Sequence, residues 1–296
     1  MLTLKNILCP VDFSDVSRAA FRHAVALAAG MHGVVRVIHV VDASVRPMAG
    51  AGFDRAQQLA TQDRRRSEER LRDWLAEPRV QDVPVEFHLV EGTAARAIVE
   101  EARALSCDAI VMGTHGRSGI ARALLGSVAE KVVRTATVPT LVVPSSPRGG
   151  GAPRAIASIL CPVDFSEISE RALSESARLA RALGAALHVV HCWELEPRGD
   201  SEERETRRSA RDFSSELAAL TDRCVAGAPT VQRHLRHGVP HVEIVDAALA
   251  LDVELIVMGT NGRTGLEHLL IGSVAERVIR VSPIPVLTLR TPALPS

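Results

Sequence analysis

Two loops hold the residues whose types and spacing best suit chemistry: Gly113-x2-Gly116-x9-Gly126-Ser127 and Gly259-x2-Gly262-x9-Gly272-Ser273. Glycine has no Cβ, so Gly113 and Gly116, like Gly259 and Gly262, let backbone amides come close to an anion. In each block the last Gly and the Ser open a helical pattern. The unpaired N–H groups and positive dipole end of such a helix suit a phosphate. Arg117 and Arg263 bring positive charge to the same loops, and His115 adds a hydrogen-bonding or acid–base group that Asn261 replaces in the second copy. No Gly-Lys-Ser/Thr follows and no G-x-G-x-x-G occurs here, so the usual support for kinase or dehydrogenase chemistry is missing. A purely architectural reading stands beside this one. Ser127-Val128-Ala129-Glu130 and Ser273-Val274-Ala275-Glu276 both match the capping box, in which Ser caps its own helix, and loop glycines make turns.

A second pair of candidates is Asp12 and Asp164, each inside the octapeptide ILCPVDFS at Ile7–Ser14 and again at Ile159–Ser166. A carboxylate just past a strand could accept from a bound base or sugar, or hold a metal-bound water. The alternative is capping of the next helix together with Ser14 or Ser166. Other polar residues point to structure. His39, His188 and His191 alternate with apolar residues in strands, and their spacing does not converge on a zinc site, which leaves core or interface roles. The mixed-sign runs Arg64–Glu69 and Glu202–Arg211 suit solvated helix faces or a docking surface. Five cysteines without a C-x-x-C pair indicate neither a disulfide framework nor a zinc knuckle; Cys9 and Cys161 sit in apolar runs and suit buried packing.

The elements that must carry these residues come in two copies. VMGTHGRSGIARALLGSVAEKVVR from Val111 returns as VMGTNGRTGLEHLLIGSVAERVIR from Val257, and Glu91–Ala102 matches His237–Ala248. Three blocks in the same order imply duplication of a whole domain. The expected division is 1–144, a Pro-, Gly- and Ser-rich linker at 145–154, and 155–296. In the first half the patterns predict strands at 6–11, 34–41, 85–90, 109–112 and 140–143. Helices are predicted at 14–29 (ended by Gly30), 56–75 with Trp74 on its buried side, 94–105, and from 127 to 135. The second half repeats this from Ser158 to Leu289. Alternation of strand and helix implies an α/β fold: two tandem doubly wound domains, each a five-stranded parallel sheet with helices on both faces. Such sheets bind ligands beyond the carboxyl ends of their strands, where strand order reverses. Pro139 and Pro285 suit edge strands, and the last strands of the two halves are free to pair with each other.

Composition narrows the partners. Hydrophobic residues make up 46% and charged residues 24%, with Lys plus Arg equal to Asp plus Glu. A net charge of zero argues against nucleic acid or an anionic membrane as partner. Aromatic content of 3%, with no Tyr, offers little for a stacking platform on single strands. The chain enters an apolar strand directly, without a secretory pattern, and no apolar run is long enough to span a bilayer, so a cytoplasmic location is expected.

On ILCPVDFS after the first strand and on the G-2x-G-9x-G-Ser block, the chain resembles the universal stress proteins in their tandem form. The resemblance covers nearly all of it except the linker and the last few residues. It implies an adenine-nucleotide α-hydrolase type of fold, and ATP as the ligand, with or without Mg²⁺, because that block is the family's ATP-binding signature. It also implies that the fifth strands pair across a dimer, or here across the two halves of one chain, with a homodimer of chains as a further option. By position, adenine would lie near Pro10, Val11, Asp12 and Val40. Ribose and phosphates would lie over Met112, Gly113, His115, Gly116, Arg117, Gly126, Ser127 and Val128. The second set is Pro162, Val163, Asp164, Cys192, Met258, Gly259, Asn261, Gly262, Arg263, Gly272, Ser273 and Val274. Cys192 for Val40 and Asn261 for His115 make the second site differ from the first. The function so implied is regulatory: nucleotide occupancy would set conformation or partner choice in a stress response. A slow ATPase or phosphotransferase on this fold, a nucleotide-free scaffold, and a metal or redox sensor built on Cys192 and the strand histidines are the competing readings.

Overall fold

A computed structural model describes residues 4–41, 53–76, 83–115, 125–145, 153–194, 202–225, 230–260 and 271–290. The first half runs β1 (Asn6–Pro10), α1 (Asp15–Met31), β2 (Val34–Val41), α2 (Phe53–Leu75), β3 (Val85–Glu91), α3 (Ala94–Ala104), β4 (Ala109–Gly113), α4 (Ser127–Thr135) and β5 (Thr140–Val143). The second runs β6 (Ser158–Pro162), α5 (Glu167–Leu183), β7 (Ala186–Trp193), α6 (Glu202–Cys224), β8 (Val231–His237), α7 (Pro240–Ala250), β9 (Leu255–Gly259), α8 (Ser273–Val281) and β10 (Val286–Leu289).

The strands form one ten-stranded sheet in the order β3-β2-β1-β4-β5-β10-β9-β6-β7-β8. Within each half every pairing is parallel. Parallel strands are covered on both faces, which is why β1 reads as an unbroken apolar run. Ile7 and Cys9 enter a core beneath α1, α2, α5 and α6, while Leu8 enters the opposite core beneath α3, α4, α7 and α8. Trp74 is buried in the first of these, as its helical phase requires. In the middle of the sheet β5 lies antiparallel to β10, with Leu141 opposite Leu287 and Thr288 opposite Thr140. Pro139 and Pro285 stand just before these strands, where their carbonyls accept from Ile110 and Ile256 at 2.9 and 3.0 Å. They close strand ends outside the ladder, where a proline costs no N–H, on the edge strand of each half, and these two edges meet in mid-sheet.

Two local expectations change. The first helix does not end at Gly30; it continues to Met31 and is closed by His32 in the left-handed region at φ 51°. At the matching position of α5 the closing residue is Gly184, φ 67°. The capping-box role of Ser127 and Ser273 is not realised. Gly126 and Gly272 are the N-caps, the serines are the first helical residues, and no side chain caps either helix.

Candidate functional site

Strand order reverses between β1 and β4, which leaves a crevice at their carboxyl ends. A cavity of about 340 Å³ opens there, lined by Pro10, Val11, Asp12, Val40, Met112, Gly113, His115, Gly126, Ser127 and Val128. A matching cavity of about 290 Å³ gathers Pro162, Val163, Asp164, Cys192, Met258, Gly259, Gly272, Ser273 and Val274. Gly116, Arg117, Asn261, Gly262 and Arg263 lie outside the described residues.

The floor is built by hydrogen bonds between strand ends. Val11 donates its N–H to the Ile38 carbonyl at 2.8 Å, and its own carbonyl accepts from Nδ1 of His39 at 2.7 Å. Val163 repeats both bonds, with the Val190 carbonyl and with His191, at 2.8 Å each. Both backbone groups of Val11 are thus engaged, and a flat ring resting there meets carbon. His39 and His191 are structural, holding a strand end in place.

Asp12 lies between the cavity and the N-cap of α1. It lines the cavity, and its Oδ1 accepts from the Ser14 N–H at 3.1 Å and the Ser14 hydroxyl at 2.6 Å. Ser14 in turn accepts from the Ser17 N–H and caps α1. Asp164, Ser166 and Ser169 repeat the arrangement. Between Asp and Ser the backbone turns left-handed at Phe13, φ 61°, and Phe165, φ 63°, an outlier for a bulky residue.

The glycines have a further physical account beside the one their spacing suggests. A Cβ on Gly113 would meet Val16 Cγ1 at 2.5 Å and the Val16 carbonyl at 3.2 Å, and one on Gly259 would meet Ile168 Cγ1 at 2.8 Å. Their missing side chains admit the first turn of α1 or α5, a packing reason that stands beside the approach to an anion expected from their spacing. On Gly126 a Cβ would stand 2.8 Å from the Thr114 carbonyl, which accepts the Gly126 N–H at 2.7 Å. That bond closes the base of the loop and aims the start of α4 at the cavity.

Two residues that line the cavity carry a buried side-chain atom with no hydrogen-bond partner among the described residues, Thr114 Oγ1 and His115 Nε2. Buried polar atoms are normally paired, so each asks for a partner. Burial lowers the His115 pKa and favours neutral imidazole. In the second cavity burial, aided by Glu243, pushes the Cys192 thiol up to about 12, so it is a packing group and not a nucleophile. Among the described residues no three His, Cys, Asp or Glu side chains come together as metal ligands. Ser17, Ile38, His39, Ala94, Ile98, Thr114 and Ala129 complete the first cavity, and Ser169, Val190, Pro240, Ile244, Thr260 and Ala275 the second. Thr114 and Thr260, the first residues after Gly113 and Gly259 inside the glycine blocks, were the ones a reading of neighbours could have found.

A sequence model described as the universal stress protein family matches residues 3–144 and 156–290. A universal stress protein of Mycobacterium tuberculosis is 28% identical over 292 residues, covering 96% of this chain and 97% of its own. Another, of Methanocaldococcus jannaschii, is 38% identical over 140 residues, 47% of this chain and 81% of its own. The crystal structure of a universal stress protein from Archaeoglobus fulgidus superposes with a TM-score of 0.69 at 22% identity, covering 98% of each chain. That likeness speaks for the fold. Among the described residues no helix is long and apolar enough to cross a membrane.

Proposed function

The chain belongs to the universal stress protein family, and on that premise we propose that it binds an adenine nucleotide in each carboxyl-end cavity and couples occupancy to conformation or partner choice. ATP, with or without Mg²⁺, is the ligand we assign. The observation that carries this is the first cavity's polar end: Thr114 and His115, whose Oγ1 and Nε2 have no partner among the described residues, line the same space as the side-chain-free N-terminus of α4. An uncapped helix start supplies amides and a positive dipole end to a phosphate, and the threonine hydroxyl and neutral imidazole supply further hydrogen bonds. The base would rest on the apolar surface of Pro10, Val11 and Val40, and Asp12 would meet the sugar.

We assign α4 as the carrier of this coupling. α4 begins at the cavity, and its last-turn carbonyl at Arg134 accepts from Arg290 at the end of β10. In this reading a shift of the helix start is passed to the other half through that bond. In the same reading 1–144 and 155–296 are the two domains, joined by 145–154. The β5–β10 contact serves as an internal dimer interface, and the protein works in the cytoplasm under stress. Whether chains pair further is a matter for light scattering.

The test is to purify the protein without added ligand, denature it, and count released nucleotide per chain. Two adenine nucleotides, or one together with a thermal shift on adding ATP and Mg²⁺, supports the reading. No released nucleotide and no shift defeats it and leaves a scaffold.

A further inference from the structure

A third cavity, of about 220 Å³, lies between the halves, away from both carboxyl-end cavities. One wall is α1, through His23, Ala26 and Leu27. The opposite wall is the base of β9 and β10, through Leu255 and Ile284, and residues 153–156 close it. That closing segment is latched in place: Arg154 bridges Asp252 through two bonds of 3.1 and 3.2 Å and reaches Glu254 at 3.1 Å. Glu254 also accepts from the N–H groups of Ala157 and Ser158.

The approximate two-fold relation between the halves shows why space is left here. On α5 the positions matching His23 and Ala26 are Glu175 and Arg178. Glu175 is buried and joined to Arg178 at 2.6 Å, two long side chains locked together. On α1 the matching pair is a bare methyl group and a ring folded back on its own helix, His23 Nδ1 lying 2.8 Å from the Ala19 carbonyl. With Nδ1 as donor, the ring keeps Nε2 as an acceptor, and burial favours its neutral form. The carboxylate and guanidinium nearby are already paired with each other. An apolar cavity of roughly 150 Å³ takes benzene, so this one has room for two fused rings.

The geometry points to a binding site for a small neutral aromatic molecule with one hydrogen-bond donor, held between the halves by α1, the base of β9 and β10, and residues 153–156. Its aromatic faces meet Leu27, Leu255 and Ile284, and its N–H or O–H meets His23 Nε2. Touching both halves, such a ligand stabilises their pairing. This site is independent of the nucleotide reading.

Indole is the probe. Full-length protein is titrated with it by ligand-detected NMR and by thermal shift, with and without saturating ATP and Mg²⁺. The expected result is saturable binding that raises the melting temperature and is untouched by ATP. Ala26→Phe should fill the cavity and weaken indole binding at least tenfold while the variant melts no lower than the parent. Arg154→Ala, which frees the closing segment, should weaken indole while leaving any ATP-induced shift unchanged. Displacement of indole by ATP, equal binding to both variants, or no saturable binding at millimolar indole would each overturn the proposal.

Discussion

Phe13 and Phe165 show how much a single position is asked to do at the rim of these cavities. A left-handed backbone at a large side chain costs about 1–2 kcal/mol, and it persists because neighbours over-determine it. Phe13 packs on His39 and Trp74 at 5.0 and 5.5 Å, and Phe165 on His191 and Phe213 at 4.5 and 6.3 Å. The turn it makes brings the aspartate back onto the serine that caps the next helix. Gly113 is constrained from the other side. Gly113→Ala should destabilise by about 1–3 kcal/mol in urea melts, the ordinary cost of overpacking, and Val16→Ala in the same chain should recover part of it. Thr114→Val tests the unmet hydroxyl with two opposite signs. Removing an unpaired buried polar group should stabilise the ligand-free protein by about 1 kcal/mol, and losing a ligand bond should weaken ATP by a similar amount. Equal affinity for ATP would show that the hydroxyl meets no nucleotide. From sequence Gly113 stands out as special, but the reason, a valine on another element, is visible only once α1 has packed on β4.

At the scale of elements, the two halves solve the same problem with different residues. α1 closes on His32 in the left-handed region where α5 closes on Gly184. His32→Gly should therefore stabilise by ~1 kcal/mol, and Gly184→Ala destabilise comparably, both read from denaturant midpoints. The β7–β8 ladder carries a histidine pair, His188 Nδ1 and His234 Nε2 at 3.1 Å. Burial lowers both pKa values from 6.5, and for His234 the charges of His188 and Arg236 add to it. Such groups bind protons more readily unfolded than folded. Their contribution is present above about pH 6.5 and is lost as pH falls from there through the folded values. The urea midpoint should thus hold steady from pH 8 to 7 and decline toward pH 5, and replacing both histidines by Leu should flatten that slope. An unchanged slope would assign the acid sensitivity to other groups.

For the molecule as a whole, the central feature is the contact of β5 with β10. Leu141 and Leu287 face each other there, both nearly inaccessible at 3% and 2%, and Thr288 Oγ1 donates to the Thr140 carbonyl at 3.0 Å. Each of the two cores runs through both halves without a break. Heating should therefore give one cooperative transition in calorimetry. The pair Leu141→Ala and Leu287→Ala removes buried side chains worth about 2–5 kcal/mol each. That double variant should melt lower and split into two transitions, one per half. A single sharp transition in it would mean the halves are held together elsewhere.

Much of this was written in local order. The repeat of ILCPVDFS and of the glycine blocks announces duplication, and alternation of apolar runs with helical spacing gives strands and helices to within three residues. These are properties of neighbours along the chain, where periodicity and short-range sterics decide the outcome. The carboxyl-end location of Pro10–Asp12 and Gly126–Val128 follows from that order as well, once the sheet is parallel. What needed the folded molecule is every contact between distant residues. Val16 behind Gly113, His39 on Val11, Arg290 on Arg134 and the space left between Ala26 and Leu255 join segments whose separation along the chain carries no periodic signal. Packing in three dimensions chose them, because side-chain volume and hydrogen-bond reach act through space and not along the sequence.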